Sequence, residues 1–347
     1  MVMTRNNWFY SKEVDIFVLF ALSPIVAFLL ALLIYFKVPD FIGAIVAAVI
    51  IDLPHQAQTH ILLLANPKEF ARVKNHYFIS AIVIAAFCTF FAVTGHILIP
   101  VTVWSYWLIF HIILQHYGIA AIYARRGGYS GNTSNIKYLV LTGTIAPIVY
   151  RMAMTGITFG TPINQIQIVT PPIPNWIAFV MYIAFGLLLI NFIYKEIKAR
   201  KEPISYNYNI MVYCIIAYTL LLYNAFFLFE SNLLLFLLIS TALHAIQYHF
   251  IAGNKTIAVL AHEDEDYSKI MTWLRGGIRR IVSNKFSWSL LVVFLSILVF
   301  LSNEFSYGVI PLTWAMQHFY LDGVIWKRRK EKHSLPVESV LPPPLQS

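Results

Sequence analysis

Apolar runs long enough to cross a bilayer recur along most of this chain, and they restrict its fold more than any other feature. Of its 347 residues, 59% are hydrophobic and only 12% are charged, whereas about a quarter of the residues of a soluble globular domain are charged. A helix needs about 20 predominantly apolar residues to span the hydrocarbon core of a membrane. The sequence therefore predicts an all-α, polytopic membrane protein and excludes an ordinary soluble domain.

About ten transmembrane helices are expected, separated by prolines, glycines and short polar segments. They are Val14 to Phe36, Phe41 to Ala65, Tyr77 to Ile99, Val101 to Tyr123, Ile136 to Met152, Ile173 to Tyr194, Asn209 to Phe229, Ser231 to Ala252, Ser287 to Leu301 and Tyr307 to Trp326. Residues 1–330 are expected to form a single transmembrane domain, in which the segment near 267–285 has the amphipathic pattern of an interfacial helix. Residues 331–347 are predicted to be a disordered, Pro-rich tail.

The basic residues predict the orientation of these helices. If both termini are cytoplasmic, every Lys and Arg except Lys37 and Arg151 lies on the cytoplasmic side, as the positive-inside rule requires. The formal net charge of +9 is then explained by membrane orientation and by anionic lipid headgroups. We therefore expect a multi-pass protein of the cell (inner) membrane that binds no nucleic acid.

Seven histidines lie within four of the predicted spans, and all four spans run from the outside to the inside. The sequences are Asp52-Leu-Pro-His55-Gln-Ala-Gln-Thr-His60, His111-Ile-Ile-Leu-Gln-His116-Tyr-Gly118, His244-Ala-Ile-Gln-Tyr-His249-Phe and Gln317-His318-Phe-Tyr-Leu-Asp322. Ionisable side chains inside a membrane are costly, and they usually mark a functional site. Because imidazole is the commonest protein ligand of transition metals, these histidines predict a metal site at a similar depth in four helices.

The spacing within the pairs leaves two arrangements open. Residues five apart on an ideal helix are about 140° apart, so the pairs His55/His60, His111/His116 and His244/His249 do not share one face. Either the helices are locally overwound, through Pro54 or through π-bulges, or each pair contributes to two sites. The pattern therefore predicts one or two metal ions, with imidazole donors that suit Fe, Zn, Cu and Ni alike, and the candidate ligands are His55, His60, His111, His116, His244, His249 and His318.

Two aspartates accompany the histidines and are candidate catalytic residues. Asp322 follows His318 by four residues, which places both on one helical face, and Asp52 precedes His55 by three. Each could bind the metal or orient an imidazole through a hydrogen bond.

At these motifs the chain resembles the Brp/Blh family of membrane-embedded β-carotene 15,15′-dioxygenases. The resemblance covers Leu53-Pro54-His55, His116-Tyr117-Gly118, His244 with His249-Phe250, and His318 with Asp322, in the family's order. It implies iron and O₂ chemistry, with the family's iron ligands at His55, His116, His244 and His249, and a carotene substrate. The chain departs from the family where Gln56 replaces the glycine after the first histidine, and where His244 and His249 are five residues apart rather than four.

The function expected from these features is an O₂-dependent oxidoreductase of lipid metabolism. Its partners would be the membrane, O₂, a lipid or carotenoid substrate and, for some reactions, an electron donor. Carotenoid cleavage is one version, and desaturation or hydroxylation of an acyl chain is the other. The alternatives are a haem-binding electron-transfer protein with axial imidazoles and a metal or proton transporter with histidines along its path.

Overall fold

A computed structural model of the chain describes most of the predicted spans. The described residues are 52–126, 133–160, 165–167, 172–199, 210–229, 233–261, 276–278, 285–306 and 308–325, and, near the N terminus, 8, 11–22, 25, 26, 28, 29 and 32. The predicted Pro-rich tail and most of the predicted interfacial segment lie outside these residues. Within that segment, residues 276–278 are helical.

The described residues are almost entirely helical. The helices are α1 (Lys12–Ile16) with a π-helical continuation (Phe17–Leu22), α2 (Leu53–Ala65), α3 (Pro67–Val93), α4 (Leu98–Arg126), α5 (Ser134–Met154), α6 (Asn175–Ala199), α7 (Ile210–Phe229), α8 (Leu233–Ala261), α9 (Lys285–Ser306) and α10 (Val309–Ile325). A short antiparallel hairpin, β1 (Thr158–Gly160) with β2 (Gln165–Gln167), follows α5. The helical prediction is confirmed, and the hairpin is a feature that the sequence analysis did not predict.

Two helix boundaries show how local chemistry sets the elements. Helix α3 begins at Pro67, ten residues before the predicted span at Tyr77, with Pro67 in its first turn and the side chain of Asn66 accepting a hydrogen bond from the backbone of Glu69. The predicted break at Pro100 is wrong, because the chain turns earlier, at Gly95, whose φ is 76°. Pro100 lies in the first turn of α4. Backbone N–H groups there have no partner within the helix, so the missing N–H of proline costs no hydrogen bond.

Three of the described helices are long and apolar enough to cross a membrane. They are Pro67–Val93, Leu98–Arg126 and Asn175–Lys198. The first and third also expose large apolar side chains, among them Phe78, Ile82, Phe179 and Leu187. Such surfaces are rare on soluble monomers and are typical of lipid-facing helices, which supports a membrane location.

The chain divides into two compact units, residues 1–21 with 109–240 and residues 22–108 with 241–347. In the first unit, α5 packs against α6 and α7. Gly143 allows the close contact, because a Cβ there would overlap side-chain atoms of Leu220 and Phe185. Asn224 ties α7 to α5 by donating a hydrogen bond to the carbonyl of Gly143 at 3.0 Å.

In the second unit, α2 lies at the centre of the packing. Helix α9 packs on α2 and α10, and α10 also packs on α2 and α3. One apolar core joins Ala57 and Ile61 of α2 to Leu260 of α8 and to Trp288 and Val292 of α9. Because α2 is covered on several sides, its polar residues have to find partners inside the protein.

Candidate metal centre

Helix α2 carries the polar residues of the site in an almost fully buried setting. Every residue from Leu53 to Leu63 is buried, including His55, Gln56, Gln58, Thr59 and His60. Pro54 lies in the first turn of the described helix, and residues 33–51, which would report a bend before it, lie outside the described residues. Five polar side chains within eleven buried residues are expensive unless each has a structural or chemical role.

Three imidazoles of the second unit meet at this helix. His55 of α2, His244 of α8 and His318 of α10 are all fully buried. The Nε2 atoms of His55 and His244 are 3.1 Å apart. The ring of His318 stands edge-on to that of His55, with centroids 4.7 Å apart. The three rings therefore direct nitrogen atoms toward a common region.

A fourth imidazole belongs to the same group. His111 of α4 is 8% exposed, and one ring nitrogen from each of His55, His111, His244 and His318 lies within 4.8 Å of the others. In a metal site with bonds of about 2.1 Å, ligands at right angles are about 3.0 Å apart and opposed ligands about 4.2 Å apart. The group is therefore close to the dimensions of one coordination sphere and could hold a metal ion.

A hydrogen-bonded network supports His318 on its Nδ1 side. The hydroxyl of Thr59 lies 2.8 Å from His318 Nδ1 and donates to Asp322 Oδ1, also at 2.8 Å. Tyr248 donates to the same carboxylate oxygen at 2.8 Å and lies 2.6 Å from the Thr59 hydroxyl. Asp322 therefore binds two hydroxyl groups, and it does not belong to the histidine group.

Asp52 stands in a similar position beside His55. Its Oδ1 lies 3.3 Å from His55 Nδ1, and its Oδ2 accepts a hydrogen bond from Gln56 Nε2 at 2.8 Å. The carboxylate thus faces the Nδ1 side of His55, while Nε2 faces His244. Both candidate catalytic aspartates therefore lie beside an imidazole of the group, Asp52 at Nδ1 of His55 and Asp322 with Oδ2 3.8 Å from Nε2 of His318.

His60 and His249 have other surroundings. The Nδ1 of His60 is 3.1 Å from the Tyr77 hydroxyl, and its ring lies over Trp314 with centroids 4.0 Å apart. His249 is hydrogen-bonded to the amide of Gln58 through Nδ1, and its Nε2 lies 3.3 Å from the Ser289 hydroxyl. Both rings therefore have polar partners of their own, and neither belongs to the four-histidine group.

The pairs spaced by five residues are thus divided by helix geometry. His55, His111 and His244 belong to the group, whereas His60, His116 and His249 do not. His116 is buried, and α4 and α8 are α-helical along their whole lengths. Of the four ligands implied by the Brp/Blh resemblance, His55 and His244 belong to the group.

Thr59 and Tyr248 are the site residues that the sequence analysis missed. A signal was present, because Thr59 follows His55 by four residues and Tyr248 follows His244 by four. This spacing places each on the same face as a histidine of the group. A hydroxyl residue four positions after a buried histidine could therefore have been added to the prediction.

No protein-family model matches the chain, and no curated protein or solved structure matches it. Its function therefore has to be inferred from the chemistry of the site.

Proposed function

We propose that the chain is an integral-membrane, non-haem iron enzyme that uses O₂ to oxidise an apolar lipid. The observation that carries this proposal is the group of four buried imidazoles, with ring nitrogens within 4.8 Å of one another. Several buried imidazoles at such distances are costly unless a metal ion uses their lone pairs.

The donor set suits iron. Imidazole nitrogens bind Fe, Zn and Cu well, and thiolates, which would favour a closed zinc site, are missing from the group. Four neutral imidazoles would hold the ion and keep their own charge at zero, so the ion would retain its full positive charge. When bound, iron would supply the binding and activation of O₂.

The protein's own residues would hold and shield this centre. His55, His111, His244 and His318 would be the ligands, and Asp52 and Asp322 would orient His55 and His318 through their Nδ1 sides. The apolar packing around α2, which includes Ala57, would exclude water from the site. A dry site favours a lipid over a water-soluble substrate, because no polar path is needed for entry from the bilayer.

Two substrate classes fit this proposal. A carotenoid is favoured by the Brp/Blh resemblance, and its cleavage at a double bond would place both atoms of O₂ in the products. An acyl chain is the second class, and its desaturation or hydroxylation would also require two electrons from a donor. Dependence on an added electron donor therefore separates the two reactions.

The geometry is unfavourable for a haem held between His55 and His244. Axial nitrogens on the two faces of a haem are about 4 Å apart with the porphyrin plane between them, if each bond is about 2.0 Å. The Nε2 atoms of these two residues are only 3.1 Å apart. This spacing supports two adjacent ligands of one ion.

Metal analysis of the detergent-purified chain tests the proposal. We expect about one iron per chain, no Soret band, loss of the iron in His55→Ala/His244→Ala, and O₂ consumption with a carotenoid or an acyl lipid. His96→Ala is the matched control, because His96 is an exposed imidazole at the turn between α3 and α4. Stoichiometric zinc, a Soret band or no bound metal in the unaltered protein would contradict the proposal.

A further inference from the structure

The hydroxyl of Thr59 is the central atom of the network beside His318. It lies 2.8 Å from His318 Nδ1, 2.6 Å from the Tyr248 hydroxyl and 2.8 Å from Asp322 Oδ1. The Tyr248 hydroxyl and Asp322 Oδ1 are themselves 2.8 Å apart. Three oxygen atoms therefore form a triangle in which every edge has hydrogen-bond length, and an imidazole nitrogen touches one corner.

Counting hydrogen atoms assigns the donors. An ionised carboxylate has no hydrogen, so the triangle contains only the two hydroxyl hydrogens of Thr59 and Tyr248. If Thr59 donated to His318, one hydrogen would remain for three short oxygen–oxygen contacts. That arrangement would leave two of the three contacts between buried oxygen atoms without a hydrogen, whereas only one lacks a hydrogen when both hydroxyls donate within the triangle, and each such contact is costly. The Thr59 hydrogen therefore stays within the triangle, as its hydrogen bond to Asp322 indicates.

The hydrogen of the hydrogen bond between Thr59 and His318 must then come from the imidazole. His318 must carry a hydrogen on Nδ1 and donate it to Thr59 Oγ1. A neutral ring with a hydrogen on Nδ1 has its lone pair on Nε2. His318 Nε2 is 3.8 Å from Asp322 Oδ2, which is too far for a hydrogen bond.

We propose that Thr59, held by Tyr248 and Asp322, is a positioning residue that fixes His318 as the Nδ1–H tautomer and so makes Nε2 its metal-binding atom. This inference rests on the proposed metal centre. Metal-binding histidines generally donate their other ring N–H to a neighbouring acceptor, and loss of that acceptor weakens metal binding by about 10- to 100-fold. Here the acceptor is a threonine hydroxyl, and the carboxylate acts through it.

Thr59→Val tests the proposal, because valine keeps the shape of threonine and removes the hydroxyl. Thr59→Ser should behave like the unaltered chain, because serine keeps a hydroxyl at this position. The matched control is Thr256→Val, since Thr256 is also a fully buried threonine of the second unit and its hydroxyl donates to a carbonyl of its own helix at 2.9 Å. If Thr59→Val fails to fold, the variant Tyr248→Phe is used in its place, because it removes the other hydroxyl of the triangle.

Two readouts separate this inference from the proposed function. The first is ¹⁵N NMR of histidine-labelled, metal-free protein, with His318 assigned from a His318→Gln sample. It should show the Nδ1–H tautomer in the unaltered chain and in Thr59→Ser, with a shift toward Nε2–H in Thr59→Val. The second is iron affinity by chelator competition, which should fall about 10- to 100-fold in Thr59→Val and stay unchanged in Thr256→Val.

Each result has a distinct meaning. An Nε2–H tautomer of His318 in the unaltered chain would overturn the inference, even if the protein binds iron. Equal losses of affinity in Thr59→Val and Thr256→Val would also overturn it, because they would indicate a general effect of the substitution. An Nδ1–H tautomer that depends on Thr59, in a protein that binds no metal, would support the network and refute the metal centre.

Discussion

Replacing His244 or His249 by alanine separates the four-histidine group from the neighbouring histidines outside it. Both residues lie on α8, five positions apart, and only His244 belongs to the group. A four-ligand zinc site binds its metal with about 10 to 16 kcal/mol, or about 2.5 to 4 kcal/mol for each ligand. At about 1.4 kcal/mol for each tenfold change, His244→Ala should weaken metal binding by about 10²- to 10³-fold.

His249→Ala should act differently. The substitution removes the partner of the Gln58 amide, and a hydrogen bond of this kind contributes about 0.5 to 1.5 kcal/mol to stability. We therefore expect a lower melting temperature in detergent and a metal affinity within a few-fold of that of the unaltered chain.

The assay is competition with a chromophoric chelator, combined with thermal unfolding of the same samples. The reasoning would be refuted if His249→Ala lost its metal while His244→Ala kept it. Equal losses would show that both residues bind, which would favour the ligand set implied by the Brp/Blh resemblance.

Further predictions concern packing and topology. A Cβ on Gly253 would lie 2.9 Å from Nε1 of the buried Trp288, so Gly253→Val should destabilise the protein by about 1 to 3 kcal/mol. Gly186→Ala, where the added Cβ meets no atom within 4 Å apart from its chain neighbours and the backbone of its own helix, should be neutral or stabilising in the same unfolding experiment. Tyr123 donates a 2.7 Å hydrogen bond to the buried Asp15, so Tyr123→Phe should cost about 1.5 to 3 kcal/mol, and an unchanged midpoint would contradict this. A reporter fused to the C terminus should be active in the cytoplasm, and activity on the outer side would contradict the predicted orientation.

Local features of the sequence were sufficient to predict much of the helical architecture. Apolar runs predicted α5 to α10 to within a few residues at most ends, although α8 continues nine residues beyond the predicted end at Ala252. This works because backbone hydrogen bonds in a lipid-facing segment are satisfied within the helix itself. The start of α3 at Pro67 was missed, because the predicted span began at Tyr77, although the pair Asn66-Pro67 is a local helix-start signal.

Other features depend on context that a single segment does not contain. The turn at Gly95 replaced the predicted break at Pro100, because a proline in the first turn of a helix is tolerated. The β1–β2 hairpin was missed because its strands are only three residues long. Strands of this length have too few residues to show an alternating pattern.

By itself, the sequence determined that this is an apolar, helical chain with buried histidines, because hydrophobicity and helix length are properties of each segment alone. The tertiary structure decided which histidines form the group. Helix geometry rotates His55 away from His60 and His244 away from His249, and only the packing of the helices directs one member of each pair toward His318. The same packing brings Thr59, Tyr248 and Asp322 together from three helices. Contacts between residues so far apart in the chain depend on helix packing, which no local pattern specifies.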